Sequence, residues 1–328
     1  VRIERFDPAV ASDDEWRAYC ANAVPARSGI QPVGFPEPEP YLRNTISNKA
    51  RSHVEHVFAA WSGDEVVGSA EVEWWEAEDN KHLAWMHFTV LPSRADEALF
   101  AALLGPLLDV TRAAGRTSVT AEVQPGSAAL AYVESVGAQR RSREQHNVAP
   151  VGAVPREALA AIVADVPDGY ERWGFDGRCP DAMIEPYAAL VHTMNTAPRD
   201  DLPMEDVVFS PARLREWEDS VAARGHQMWT VGARSVATGE LAAFTQLIVM
   251  PDWPEVAEQE DTAVAIPHRG HGLGLWVKAM NLLRVMDERP SVQRVSTWNA
   301  VSNDHMIRVN RELGFACEHE WETWELPA

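Results

Sequence analysis

Apolar and polar residues alternate over Val1-Arg-Ile-Glu-Arg-Phe6, which predicts a strand with one buried face. The next pattern, from Asp13, has helical spacing and acidic residues in its first turn. The Pro-rich stretch 29–40 reads as a loop. Alternation returns over 56–75 as a hairpin turning at Ser62-Gly63-Asp64. A strand at 82–92, a helix at 96–114, a strand at 117–123 and a short helix ending at Gly137 complete the first half.

The second half repeats this order. Strand 170–175 and helix 181–194 precede a hairpin over 227–249. A strand ending at Pro267, a helix from about Gly272 to Glu288, strand 294–300 and a helix ending at Gly314 follow. Leu91-Pro92-Ser93-Arg94 lies over Ile266-Pro267-His268-Arg269, and Ser135-Val136-Gly137-Ala138 over Glu312-Leu313-Gly314-Phe315. The chain therefore reads as two copies of one β-α-β-β-β-α-β-α-β unit, an α/β fold with mixed, mostly antiparallel sheets flanked by helices. Residues 1–148 form the expected first domain, 149–167 a Pro-marked connector with one helix, and 168–328 the second domain.

Composition narrows the partners. A formal charge of −20 over 328 residues disfavours nucleic acid and anionic membranes and favours a cationic small molecule. No apolar run is long enough to span a bilayer or resembles a signal peptide. Cys20, Cys179 and Cys317 are scattered and form no C-x-x-C pair, so no disulfide framework or zinc cluster is expected, and the location implied is the cytoplasm.

One stretch reverses the acidity. Val264-Ala265-Ile266-Pro267-His268-Arg269-Gly270-His271-Gly272-Leu273-Gly274 joins a strand to a helix through three glycines and basic side chains. Helix N-termini carry unpaired N–H groups and partial positive charge, and glycines let an anion approach them. The loop predicts a bound phosphate or pyrophosphate. It has neither the G-x-G-x-x-G spacing nor a G-K-[ST] ending.

Arg269-x-x-Gly272-x-Gly274 resembles the [Q/R]-x-x-G-x-[G/A] loop of the GCN5-related N-acetyltransferase (GNAT) superfamily. Asn303 to Phe315 matches N-x-x-A-x-x-x-Y-x-x-x-G-F in its asparagine, its Gly-Phe ending and its spacing. The likeness covers residues 170–328 in motif and the first half in pattern, as in the tandem members of the superfamily. It implies acetyl-CoA as cosubstrate, with no metal, held by Arg269, Gly270, His271, Gly272, Leu273 and Gly274. It further implies backbone pairing of Val264 and Ile266 with the pantetheine arm, and contacts from Asn299, Asn303 and Asn310. It implies, too, that an N–H at Val264 or Ala265 polarises the thioester carbonyl.

Two departures stand out. Asn310 occupies the position of the family's tyrosine acid; an amide can donate a hydrogen bond to the leaving thiolate but supplies no proton. In the first copy, Glu97 and Leu99 align with Gly272 and Gly274, and Asp96 joins Glu97 in opposing a pyrophosphate. That copy reads as degenerate, a pseudo-dimer partner within a monomer or weak homodimer.

The implied reaction is direct attack of a primary amine through a tetrahedral intermediate. An amine with a pKa of about 10.4 needs its proton taken or relayed. Glu260 is the first candidate base and Glu258 the second, since strand alternation puts Glu258, Glu260, Thr262 and Val264 on one face unless a bulge intervenes. His226 reads as structural, and His268 with His271 lacks a third metal ligand. The tryptophans read as core, with Trp74-Trp75, Trp253 and Trp298 as alternatives for a cation pocket, and Cys317 as buried filler. The functional expectation is an N-acetyltransferase for a small cationic amine. A non-catalytic acyl-CoA sensor and a protein lysine acetyltransferase are the alternatives.

Overall fold

A computed structural model describes residues 1–328. The first half runs β1 (Arg2–Phe6), α1 (Asp13–Ala26), α2 (Glu39–Ser47), β2 (His53–Ser62), β3 (Glu65–Trp75), β4 (Leu83–Thr89), α3 (Glu97–Ala113), β5 (Ser118–Val123), α4 (Ala128–Ser135) and β6 (Gln139–Pro150). The second runs α5 (Arg156–Ala164), β7 (Tyr170–Asp176), α6 (Ile184–Val191), α7 (Pro211–Ala223), β8 (Gln227–Ser235), β9 (Leu241–Val249), β10 (Val256–Val264), α8 (Leu273–Glu288), β11 (Arg294–Ala300), α9 (Asp304–Glu312) and β12 (Ala316–Pro327).

Two compact units result. One comprises Val1–Gln145, Arg199–Asp206 and His319–Ala328; the other comprises His146–Pro198 and Val207–Glu318. The expected domain boundary at 148 lies three residues from the division between Gln145 and His146, and α5, within the expected connector 149–167, buries Leu159 in the second core with Val295 and Leu313. The last residues of the chain belong to the first unit because Glu322–Pro327 pairs antiparallel with Ser118–Val123, giving β5 a partner on its outer side.

In the first unit the strand order is β1-β2-β3-β4-β5-β12, antiparallel except for β4 with β5. Val72, Met86 and Ala121 lie side by side on one sheet face. They pack with Leu99, Leu103 and Leu107 of α3, whose four-residue spacing makes one apolar stripe. On the other face α1 sets Trp16, Tyr19 and Ala23 over Val57 and Ala59. Ser12 and Glu15 cap α1 reciprocally, which fixes where it starts.

In the second unit the order is β11-β10-β9-β8-β7, antiparallel except for β10 with β11, and β11 is flanked by the end of β6. α8 covers one face, packing Leu273, Trp276 and Val277 with Ala233 and Ala243. α6 covers the other through Tyr187, Leu190 and Val191 against Phe244 and Ala263.

Two helices escape the sequence reading. α2 begins inside the Pro-rich stretch, with Pro40 in its first turn, where a missing N–H costs nothing. α7 starts at Pro211 behind the cap Ser210, whose hydroxyl accepts from the Arg213 N–H at 3.2 Å.

Candidate active site

The glycine loop is built by the backbone. Gly270 and Gly272 have φ of 84° and 73°, a region that suits residues without Cβ. Gly272 is the N-cap of α8 and offers no side-chain bond. The first bonded N–H of that helix end is Trp276's, to the Gly272 carbonyl at 3.1 Å. The N–H groups of Leu273, Gly274 and Leu275 before it are the unpaired donors of a helix start. Gly274 is buried, and a Cβ there would sit 3.8 Å from the Val264 Cγ2.

Arg269 folds back on the strand. Its Nε donates to the Val264 carbonyl at 3.1 Å and its Nη2 to the Thr196 hydroxyl at 2.5 Å. His271 is exposed, with Nδ1 3.2 Å from the His268 carbonyl, and Tyr170 hydrogen-bonds His268 at 3.1 Å. These two histidines thus brace the turn, and no cluster suited to a metal ion is present.

The strand leading into the loop is irregular. β10 pairs with β9 in register up to Gln259↔Leu247 and resumes, shifted by one, at Thr262↔Thr245. Glu260 and Asp261 therefore share one partner position, a β-bulge. The bulge overturns the single-face expectation. Glu258 shares the face of Ile248, whereas Thr262 and Val264 share the opposite face with Gln259, Thr245 and Ala243. The amide of Gln259 pins the distortion, donating to the Gln246 carbonyl and, at 2.8 Å, to the Thr245 hydroxyl. Thr245 and Thr262 hydroxyls meet at 2.7 Å.

β10 also parts from β11. Parallel pairing covers Val256–Glu258 with Arg294–Ser296, and both strands then continue unpaired with each other. The Ala265 N–H donates to the Ala242 carbonyl at 2.8 Å. The Ala265 N–H is thus committed to β9. Antiparallel alternation then turns the Val264 N–H away from β9, toward the gap. Of the two candidate polarising donors, Val264 is the one left open. Ile266 lies in a single helical turn, 266–268, with its carbonyl accepting from the Arg269 N–H at 3.3 Å, so extended pairing there is replaced by the turn.

Across the gap stand the asparagines. Asn310 is buried on α9, and its Nδ2 donates to Asn299 Oδ1 at 2.6 Å, which also accepts from Asn147 Nδ2 at 3.3 Å. Asn310 Oδ1 is buried without a partner. Asn303 is used by its own helix: Oδ1 caps the Met306 N–H at 3.2 Å. Trp298 is 39 % exposed and stacks on buried His146 at 4.7 Å. Because Ser296 pairs with Glu258, alternation puts Trp298 on the Glu258 face of the sheet. Trp74 is core and Trp253 is buried, whereas Cys317, expected as buried filler, is exposed near the start of β12.

Burial, then Glu258 and Asp261, push the Glu260 carboxyl up to about 8. Burial alone raises Asp261 to about 6. Asp261 has no counterpart in the sequence reading, because only the bulge brings it beside Glu260. Lys278 of α8 carries no sequence signal either, since a lysine within a helix reads as exposed. It is 1 % exposed, its Nζ stands 5.3 Å from the Phe315 ring centroid, and burial lowers it to about 7. His226 is structural, 3.0 Å from Asp252 and lowered mainly by burial.

No family model matches the sequence, and no curated protein sequence matches it significantly. Solved structures do. A tandem GNAT protein from the clavulanic acid biosynthesis pathway, determined without acetyl-CoA, superposes with a TM-score of 0.81 at 25 % identity, covering 99 % of this chain and 98 % of that one. A GCN5-related N-acetyltransferase from Sphaerobacter thermophilus gives 0.67 at 13 % identity, covering 99 % and 95 %. One from Kribbella flavida gives 0.55 at 18 %, covering 88 % and 93 %. With the bulged, splayed strand pair and the bare helix start already in place, the chain is a tandem protein of the GNAT superfamily.

Proposed function

We propose that the second unit transfers an acetyl group from acetyl-CoA to the primary amine of a small cationic molecule. The observation that carries this reading is the end of β10. The strand leaves β11 after Glu258, turns its Val264 N–H into the gap, and runs into a helix whose first N–H groups have no acceptor. Acetyl-CoA, when bound, supplies an acyl group activated as a thioester. The loop fits its pyrophosphate, because Gly270 and Gly272 expose backbone donors and leave no side chain over them.

The protein's own groups divide the remaining work. The Val264 N–H would polarise the thioester carbonyl. Glu258, Glu260 and Asp261 would attract an ammonium group, and Trp298 on the Glu258 face would give it an aromatic wall. Glu260, held near 8, is matched to take a proton from the amine at neutral to mildly alkaline pH. Asn310 has one N–H committed to Asn299 and an acceptor free, so it would hold the thiol rather than protonate it. Lys278, near 7, is a second buried group able to return a proton on the α8 side.

An acyl-CoA sensor is the second reading, favoured by Asn310 in place of an acid. Calorimetric titration with acetyl-CoA on wild type and Gly272→Glu, alongside turnover with a panel of amines, separates the two. One site lost in the variant together with acetyl transfer supports the enzyme. Tight binding without turnover of any amine supports the sensor. An unchanged Kd in Gly272→Glu overturns both.

A further inference from the structure

Gln259 is a polar residue in an apolar place. It is 3 % exposed, and its partner across β9 is Leu247, a member of the second unit's core. A leucine or methionine would fill that place with no polar group to desolvate. The glutamine even leaves its Oε1 buried without a hydrogen-bond partner, a cost that cores ordinarily avoid. Its Nε2, by contrast, is fully used. It donates to the Gln246 carbonyl, to the Thr245 hydroxyl at 2.8 Å and to the Glu260 carbonyl at 3.2 Å. Two of those acceptors are backbone carbonyls, so the amide sits only one way round.

These bonds straddle the bulge. Register resumes after Gln259 at Thr262, with Glu260 and Asp261 in between. The Thr245 hydroxyl, which accepts from Gln259, also meets the Thr262 hydroxyl at 2.7 Å. The residue before the bulge and the residue after it are thus tied through one residue of β9. A bulge disrupts the ladder beside it, and here one side chain supplies donors to the carbonyls next to the break. Without the extra residue, alternation would carry Glu260 and Asp261 to opposite faces of the sheet.

We propose that Gln259 is a positioning residue: its amide holds the bulge open through the Glu260 and Gln246 carbonyls, and so fixes where the Glu260 carboxyl stands. For acyl transfer the consequence rests on the reading of Glu260 as the base. The charged groups acting on Glu260 are Glu258 and Asp261 of its own strand and Arg224 behind α7. Of the other titratable groups on the elements packed against β10, Tyr187 of α6 feels Asp261, His192 bonds Asn195, and Lys278 of α8 stands against Phe315. Gln259 itself carries no charge, so it acts on Glu260 only through the backbone it holds.

The test couples carbon-13 NMR titration of the Glu260 carboxyl, assigned by Glu260→Gln, with pH profiles of acetyl transfer to the fastest amine among putrescine, spermidine and glucosamine. In wild type the carboxyl should titrate near 8. In Gln259→Leu the midpoint should fall by about one pH unit or more, since Asp261 moves to the other face and its repulsion is lost. There kcat should fall by about 10²-fold, and the rising limb of the pH profile should move down with the midpoint. A residue serving packing alone would change the melting temperature and leave midpoint and limb in place. Should Gln259→Leu not fold, Gln259→Met, unbranched like glutamine, replaces it; if neither folds, Thr245→Val decides by the same midpoint. An unmoved midpoint in the folded variant overturns the proposal. The titration needs no turnover. A moved midpoint together with an unchanged limb in Glu260→Gln therefore upholds the positioning and overturns only the role of Glu260 as base.

Discussion

The two copies end the same strand in opposite ways. In the first, β3 and β4 pair without a register shift, and β4 stays zipped to β5 over Leu83–His87. In the second, the matching strand bulges at Glu260 and Asp261 and leaves its parallel neighbour after Glu258. The helix starts differ likewise. Asp96 caps α3, its carboxylate accepting from the Leu99 N–H at 2.8 Å, whereas Gly272 gives α8 no cap. A helix start can thus be stabilised by its own side chain or kept open for an external anion, and one residue decides which. Aligning the caps also corrects the overlay by one place. Asp96, rather than Glu97, stands where Gly272 does, and Ala98 stands for Gly274.

The sharpest way to break this contrast is to move the cap. Gly272→Asp should both strain a residue at φ 73° and fill the anion site, so acetyl-CoA affinity should fall by about 100-fold or more in calorimetry. The reverse change, Asp96→Gly, should create no site, because β4 and β5 remain closed. An acetyl-CoA site gained by Asp96→Gly alone would show that the strand gap matters little.

The bulge comes next. Glu260→Gln should lower kcat/KM by about 10²–10³-fold while leaving acetyl-CoA affinity intact. Wild-type kcat/KM should rise with pH toward a plateau above about 8, as the raised carboxyl loses its proton, and the variant should lack that limb. A retained limb would move the base to Asp261 or Glu258. A smaller change, about tenfold in kcat, is expected for Asn310→Ala, with Asn310→Tyr restoring activity if a proton donor is all that is missing.

The least effect should be on stability. Lys278 has a folded pKa near 7, below its ordinary 10.5, so its burial is best tolerated at high pH and stability is lost as pH falls toward 7. Lys278→Met should therefore raise stability at pH 7, on the order of 2 kcal/mol, and less near pH 10, in denaturant titrations at both pH values. An equal gain at both would show that Lys278 stays charged.

Periodicity and glycine spacing carried most of the fold and the loop, because Gly270, Gly272 and the apolar stripe of α8 are local signals. The bulge was not legible, since it adds one residue to an ordinary alternation and only the β9 register reveals it. For the same reason Asp261 went unnoticed. Asn303 matched a motif, but its geometry as a helix cap depends on the turn before α9. Lys278 is invisible to pattern, because a lysine in a helix reads as exposed until Phe315 folds over it.

The pairing of Glu322–Pro327 with β5 has a consequence for how the protein comes into being. Most of the first unit is synthesised before the second, yet one of its strands is synthesised after it. Its sheet must wait, with β5 lacking that neighbour, until the intervening second unit has been made. A nascent chain stalled before residue 319 should therefore expose an unfinished β edge and invite chaperones. No single cut between residues 145 and 168 should release a complete first unit.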